Sequence, residues 1–406
     1  VLAPAKMFWP ALTLAFFLGG YGLKTVLHDR KKLCDYKNKD LPESINSEDY
    51  PTIDILIAAR DEELVITRLI ERLTCLKYPR GKFSIWIIDD GSKDNTPRLL
   101  EGLKNRFSNL NVIRRSRSSG GGKSGALNEA LDMVHGEWLL ILDADAQLQE
   151  DALERLVFFA MEGGWSAVQL RKAVVNAHHN WLTRCQAMEM AMDTVIQQGR
   201  LFGRGVVELR GNGQLIKREI LQKCGGFNEE TVTDDLDLSF RLLIAGGLVG
   251  ILWDPPVQEE AVETISALWK QRQRWAEGGL QRFFDYWQEL TSNKINLTQK
   301  YDLACFFLLQ YALPVISFID LLFTSFTHTL PAYLPLSVVA FSVSGFAYWQ
   351  GCRTNSEGPL LPEPRPWLLL ISIAYLIHWF IVIPWVTFKM VIFPKTLVWA
   401  KTSHHG

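Results

Sequence analysis

Two strings carry acids where an apolar run stops. WLLILDAD closes on Asp143 and Asp145, and FSIWIIDDGS places Asp89 and Asp90 just before a Gly-Ser turn. Short apolar runs bounded by turn residues read as buried strands. Acids at the carboxyl ends of such strands face the crevice where parallel sheets bind ligands. Four carboxylates meeting in one crevice would repel one another, and a divalent cation would relieve the repulsion. Mg2+ or Mn2+ suits, since either takes one or two carboxylates and completes its shell with phosphate oxygens of a substrate. Read singly, each string has a plainer meaning: Asp90-Gly91 can be a turn and Asp143 a helix cap. Their matching positions favour a site.

Positive charge comes from RSSGGGKSGALN, where glycines precede Lys123 and a helix follows. A P-loop would need glycine at Arg117, so that motif fails. A flexible stretch, a lysine and a helix N-terminus still make an anion site, although a solvent loop would use the same residues. GNGQLI (211–216) lacks the third glycine of a dinucleotide fingerprint.

The elements that must hold these residues follow from periodicity. TIDILIAA, FSIWIIDD, NVIRR and WLLILDAD read as strands, and ELVITRLIERLTCL, a segment from Thr96 and KSGALNEALDMV as helices. Alternating β and α units predict an α/β fold with a mostly parallel sheet covered on both faces.

Apolar segments flank this region. Residues 7–27 are long enough to span a bilayer, and His28, Arg30, Lys31 and Lys32 follow, which argues that the chain enters the cytoplasm there. No small-residue cleavage site follows, so an anchor is expected rather than a signal peptide. Three further spans are expected from residue 303 onward. Three spans would carry the tail outside, yet Lys389, Lys395 and Lys401 prefer the inner side, so one segment being re-entrant or interfacial stays open. LWKQRQRWAEGGLQRFFDYW alternates basic and aromatic residues like an interfacial segment, with Trp269, Trp275, Phe283, Phe284 and Trp287 expected at the boundary. Net charge is −1 over 406 residues, so no field points to nucleic acid. Cys34, Cys75, Cys185, Cys224, Cys305 and Cys352 are scattered, which suits a reduced chain. The pairs His178-His179 and His404-His405 lack zinc-ligand spacing and read as polar surface.

AARDEE, IIDDGS, GGGKSGALN, LDADAQL, TVTDDLDLSFRL and QRQRW follow one another in the order seen in family 2 glycosyltransferases, which the chain resembles over about 52–275. It is most similar to the membrane-bound inverting members, and among these to the cyanobacterial enzymes that glucosylate diacylglycerol. The resemblance implies a GT-A type (Rossmann-like) sheet domain over 33–265, behind an anchor at 1–32. Interfacial amphipathic helices (266–300), transmembrane helices (301–395) and a tail (396–406) would follow. It assigns Ala59, Arg60 and Glu62, with Asp89 and Asp90, to a uridine pocket, and Lys123 to the pyrophosphate. Asp143 and Asp145 become the pair that holds Mg2+ or Mn2+, Asp145 more directly. Gln271, Arg274 and Trp275 close over the diphosphate. The usual Thr-Glu-Asp motif stands here as Thr233-Asp234-Asp235, which keeps Asp235 as the general base and leaves Asp234 with a shorter side chain than the family's.

The expected function is therefore transfer of a sugar, glucose by resemblance, from UDP-glucose to the hydroxyl of a lipid such as 1,2-diacylglycerol. The protein is expected to be multi-pass, with its catalytic domain facing the cytoplasm. The spans carry few ionisable residues (Asp320, His328 and His378), which favours a lipid acceptor over the polar channel of a processive polysaccharide synthase. A non-catalytic nucleotide-sugar-binding membrane protein is the reading of another class.

Overall fold

The computed structural model describes residues 2–27 and 47–393. The basic flank (His28, Arg30, Lys31, Lys32), Cys34, Lys395, Lys401, His404-His405 and the tail lie outside the described residues.

Seven strands form one sheet: β1 (Ile53–Ala59), β2 (Phe83–Asp90), β3 (Leu110–Arg115), β4 (Trp138–Leu142), β5 (Ala167–Val174), β6 (Gln214–Lys217) and β7 (Val249–Glu259). Their order is β3-β2-β1-β4-β6-β5-β7, and β6 alone runs antiparallel to its neighbours. All seven residues of β1 are buried. Its alternate residues serve two cores, as a strand period of two requires. Ile55 and Ile57 join one core with α2 (Ile66–Thr74), α3 (Thr96–Arg106) and α5 (Ala152–Glu162). Leu56 and Ala58 join the other with α4 (Gly122–Leu131) and α8 (Asp234–Ile244). Between α5 and α8 come the long α6 (Trp181–Phe202) and the short α7 (Arg218–Lys223). GNGQLI is the turn into β6: Gly211 and Gly213 have positive φ, and a Cβ on Gly213 would lie 2.7 Å from Val257 Cγ1.

α1 (Leu2–Val26) precedes the sheet domain. After it come α9 (Ile265–Asp285), α10 (Trp287–Thr291) and a continuous apolar helix made of α11 (Leu297–Phe307), a π turn (Leu308–Ala312) and α12 (Leu313–Thr327). Pro314 lies in the first turn of α12, and a helix at such a point widens locally. α13 (Leu334–Arg353) and a last helix, α14 (Pro366–Tyr375) continuing through a 3-10 turn into α15 (Trp379–Ile392), complete the chain. Among the described residues two helices, Leu297–Thr327 and Pro366–Ile392, are long and apolar enough to cross a membrane. The other two expected spans are helical but fall short. α1 carries Gly19, Gly20, Tyr21, Gly22 and Lys24 there, and α13 carries Ser337, Ser342, Ser344 and Gln350.

Buried charge ties these helices to the sheet domain. Asp302 of α11 accepts from Arg200 Nε (3.0 Å) and Nη2 (2.9 Å), Tyr21 OH (2.8 Å) and the Val206 amide (2.9 Å). Arg272 of α9 meets Glu189 of α6 at 2.5 Å, and Glu189 also accepts from Tyr375 OH (2.9 Å) and Trp379 Nε1 (3.0 Å). Of the aromatic residues expected at an interface, Phe284 and Trp287 are exposed. Trp275 lines an internal cavity, and Trp269 and Phe283 pack against a core that includes Val382 and Val386 of α15. One face of α9 is needed to hold the helices together, which withdraws those three rings from the surface.

Two glycines let α9 sit close. A Cβ on Gly278 would lie 2.0 Å from Thr233 Oγ1, and one on Gly279 2.1 Å from Tyr311 OH. Gly278→Ala should therefore destabilise the protein by about 1–3 kcal/mol through overpacking, read as a thermal midpoint a few degrees lower in detergent. An unchanged midpoint would contradict the close approach of α9 to α8.

Candidate active site

One cavity of about 450 Å³ opens at the carboxyl ends of β1 and β4, under α8 and α9. Its polar end is lined by Lys123, Asp143, Asp145, Asp234 and Asp235, together with Glu62. Asp143 follows β4 directly, its amide donating to Asn212 Oδ1 (3.1 Å). Lys123, in the first turn of α4, reaches its carboxylate at 2.6 Å. Gly120, Gly121 and Gly122 all have positive φ, the conformation that glycine adopts without strain and that turns the chain into this helix.

The electrostatics separate the two aspartates. Burial alone would raise the Asp143 pKa, but Lys123, Lys172 and Arg274 outweigh it and hold the carboxyl below its ordinary range. Asp145 is 7% exposed, and burial, Asp143 and Glu259 push its pKa up to about 7. Burial pulls the Lys123 ammonium down, but Asp143, Asp234 and Asp235 reverse that and raise it. Asp234 and Asp235 occupy the first turn of α8, where the helix dipole favours negative charge. Even so, burial and the neighbouring Asp234 raise the Asp235 carboxyl. A proton acceptor of raised pKa beside a lysine and a buried acid pair is an acid–base site in physical terms.

Gln271, Arg274 and Trp275 of α9 stand at i, i+3 and i+4, so they share one helix face, and all three line the cavity. Buried Gln271 Oε1 and Asp234 Oδ2 have no hydrogen-bond partner, which leaves polar atoms aimed at a ligand-sized space. Among the described residues, no three His, Cys, Asp or Glu side chains form a metal cage by themselves. Asp143 and Asp145 still fit a cation, because a two-carboxylate set with substrate phosphates is what Mg2+ or Mn2+ accepts, and the repulsion on Asp145 is what a cation would relieve.

Of the four aspartates expected to converge, Asp143 and Asp145 line this cavity. Asp89 and Asp90 are not among the residues that line the cavity, and neither are Ala59 and Arg60. Asp89 accepts from the Ser92 amide (3.0 Å), the plainer turn role. Asp90 is fully buried, paired to Arg60 and, at 2.5 Å, to Arg115. Those two arginines balance the charge that the sequence left open. In the chain this group is flanked by Ala58 and Glu62, which do line the cavity.

Several lining residues were missed. Lys172 and Glu259 pair at 2.9 Å at the ends of β5 and β7, positions that would have stood out had those strands been recognised. Arg210 is held by Asp193 (2.9 and 3.0 Å) and Glu208 (2.9 Å). A Cβ on its neighbour Gly211 would lie 3.4 Å from Asp235 Oδ2. Arg272 stood in plain view within QRQRW. Its guanidinium lies 4.1 Å over Trp275. Beyond this polar end the same cavity continues among apolar side chains, including Leu18 of α1, Leu309 of the π turn, Leu313 just after it, and Val343 and Phe380.

Comparison with known proteins gives a consistent picture. Residues 51–278 match the model described as Glycosyltransferase like family 2. A beta-monoglucosyldiacylglycerol synthase of Synechocystis sp. is 43% identical over 360 residues, 87% of this chain and 75% of that protein. A protein of the same name from Trichormus variabilis is 42% identical over 360 residues, 88% of this chain and 77% of its own. A mannosyltransferase from Pyrobaculum calidifontis, solved with GDP-Man and Mn2+, superposes with a TM-score of 0.58 at 18% identity, covering 94% of this chain and 99% of that one. That last likeness gives the fold, a GT-A arrangement.

The raised pKa of Asp145 has a stability consequence. Between its ordinary value of 3.8 and about 7, the folded state keeps a proton that the unfolded chain releases. Folding is therefore weakened as pH rises through that window and stays weakened above it. Asp145→Asn removes the effect. In chelator-treated protein it should be more stable than the native chain at pH 8, by about 4 kcal/mol at most, with the difference vanishing near pH 4. A thermal-midpoint difference equal at both pH values would rule this out.

Proposed function

The chain belongs to glycosyltransferase family 2, and on that premise we propose that it transfers glucose from UDP-glucose to the free hydroxyl of 1,2-diacylglycerol, giving a β-glucosyl lipid. The observation that carries the reading is a single cavity with acid–base chemistry at one end and apolar helices along the other. The relatives named for glucosylating diacylglycerol supply the sugar and the acceptor.

The roles follow from what an inverting transfer needs. The acceptor alcohol attacks C1 from the face opposite the leaving nucleotide, and Asp235 takes its proton as the bond forms. The raised carboxyl pKa makes Asp235 a better acceptor than an ordinary aspartate. Lys123 and Arg274 offset the charge that develops on the departing diphosphate, the arginine fork matching phosphate oxygens. Gln271 and Trp275 close over it from α9. Asp143 and Asp145 would hold Mg2+ or Mn2+, which when bound neutralises phosphate charge. Ala59, Arg60 and Glu62, with Asp89 and Asp90, are assigned to the uridine end. Asp234 positions Lys123 by its charge.

We place the protein in a membrane, multi-pass, with the catalytic domain on the cytoplasmic side. The two long apolar helices support this, as do the exposed Phe323, Phe326 and Val391 on them, which water would disfavour. A polymer synthase would need a polar exit, and the far end of this cavity is apolar. A non-catalytic binder would have no use for a base beside the acceptor space.

Two experiments test the proposal. Asp235→Asn keeps shape and removes proton acceptance, so turnover should fall by roughly 10²–10⁴-fold while UDP-glucose binding stays near native. Collapse of donor affinity with turnover retained would make Asp235 a binding residue. Purified protein with UDP-glucose, Mg2+ and diacylglycerol in vesicles should form one discrete lipid bearing a single hexose by mass spectrometry, and excess chelator should abolish it. Several sugars per acceptor, or full activity in chelator, would overturn the acceptor or the metal assignment respectively.

A further inference from the structure

A second cavity, of about 680 Å³, lies on the outer side of α1. It is walled by Phe16, Phe17 and Leu23 of α1, all exposed, and by Val338 and Ser342 of α13, with Tyr301 of α11 at its edge. The buried cation on its lining, Arg200, is already shared between Asp302 (2.9 Å) and Glu208 (3.5 Å). The groove therefore offers mostly apolar surface, with the exposed Lys24 as a charged group on its lining.

This groove and the catalytic cavity have a common wall. Gly19, Tyr21, Thr25, Val339 and Val343 line both. The wall is the seam between α1 and α13, and it is one side chain thick. A Cβ on Gly19 would lie 2.7 Å from Val339 Cγ1, and one on Gly22 3.1 Å from Val343 Cγ1. On the inner side, the space runs on past Leu18 and Leu313 to Asp235.

We infer that the outer groove is a first binding site for the acceptor, a neutral two-tailed lipid, and that the lipid passes sideways through the α1–α13 seam to bring its hydroxyl to Asp235. The inference rests on the acceptor reading given above. Three observations converge on it. The groove is mostly apolar and faces outward beside the two long apolar helices, so an occupant arrives from hydrocarbon. Its inner wall is also the outer wall of the space where the reaction is placed. The contact across that wall is van der Waals packing of valines on glycines, a close seam that a lipid would pass only where α1 and α13 part locally.

The geometry supplies its own test. The Cβ position of Gly19 is 3.9 Å from Val339 Cβ, and that of Gly22 is 3.7 Å from Val343 Cβ, both within the range a disulfide spans. The full-length double variants G19C/V339C and G22C/V343C should each cross-link on oxidation. With phosphatidylcholine vesicles carrying 1,2-dioleoylglycerol, oxidation should slow glucosyl transfer about tenfold or more relative to the same variant reduced, as locking a gating element does. Reductant should restore the rate, and UDP-glucose affinity should be the same in both states. Undiminished transfer by cross-linked protein would overturn the lateral route. So would a parallel loss of donor affinity, which would mean that the lock deforms the donor site, and so would failure of both pairs to cross-link. The unmodified chain in the same vesicles separates the two readings. If it makes no glycolipid, the acceptor reading fails and this one falls with it. If it does and the locked variants do too, the lateral route alone fails.

Discussion

Glu208 has no exposure to water, and three guanidinium groups surround it: Arg210 at 2.9 Å, Arg282 at 3.1 Å and Arg200 at 3.5 Å. Burial would raise its pKa, but Arg282, Arg200 and Arg210 hold it down at about 2, so the carboxylate stays charged and must stay paired. The three arginines come from different places: α6, the loop before β6, and α9. Arg200 passes the connection on to Asp302 of α11, and Arg282 rests 4.6 Å over Phe240 of α8. Removing one partner from such a buried pair typically costs about 3–5 kcal/mol. The position of α9 over the sheet, and therefore of Gln271, Arg274 and Trp275 over the cavity, follows from that constraint.

A similar rule governs the polar end of the cavity. Lys123 answers Asp143, and Lys172 answers Glu259. Asp145 sits between two acids that raise its pKa. The lining still carries more carboxylates than cations, and that excess leaves one place, beside Asp145, where an added cation gains most. Its opposite wall needs no charge at all, since packed aliphatic side chains suffice for a tail. One enclosed space can thus serve a water-soluble donor and an oily acceptor without mixing their surroundings.

Much of this architecture was legible in the sequence. The runs that became β1, β2 and β4 are apolar over most of their length, as buried parallel strands must be. β6 has four residues and no usable period, so it was invisible, and with it the antiparallel step in the sheet. The partners of Asp90 were hidden for a definite reason. Strand ends can be read from one segment, but the arginine that neutralises Asp90 comes from another, Arg115, which faces it only because β2 and β3 pair in that register. The arginines that organise the interior were equally hidden, because a buried guanidinium and an exposed one look alike in a sequence. QRQRW was marked only by the family resemblance, and even there the fully buried Arg272 went unread.

The π turn at Leu308–Ala312 acts as a phase adjuster for everything that follows it. Each residue of an ordinary helix advances the azimuth by about 100°, whereas a π turn absorbs one residue more per turn. Leu313 and Pro314 therefore point into the cavity at an angle that a regular helix of the same length would not give them. Four residues of regular helix turn about as far as the five of the π turn, so deleting one residue within 308–312 would leave the same stripe of α12 facing the acceptor space, whereas winding all five into regular α geometry would swing it by about 90°. Here the angular setting of a helix is written in one local irregularity, independently of the side chains that benefit from it.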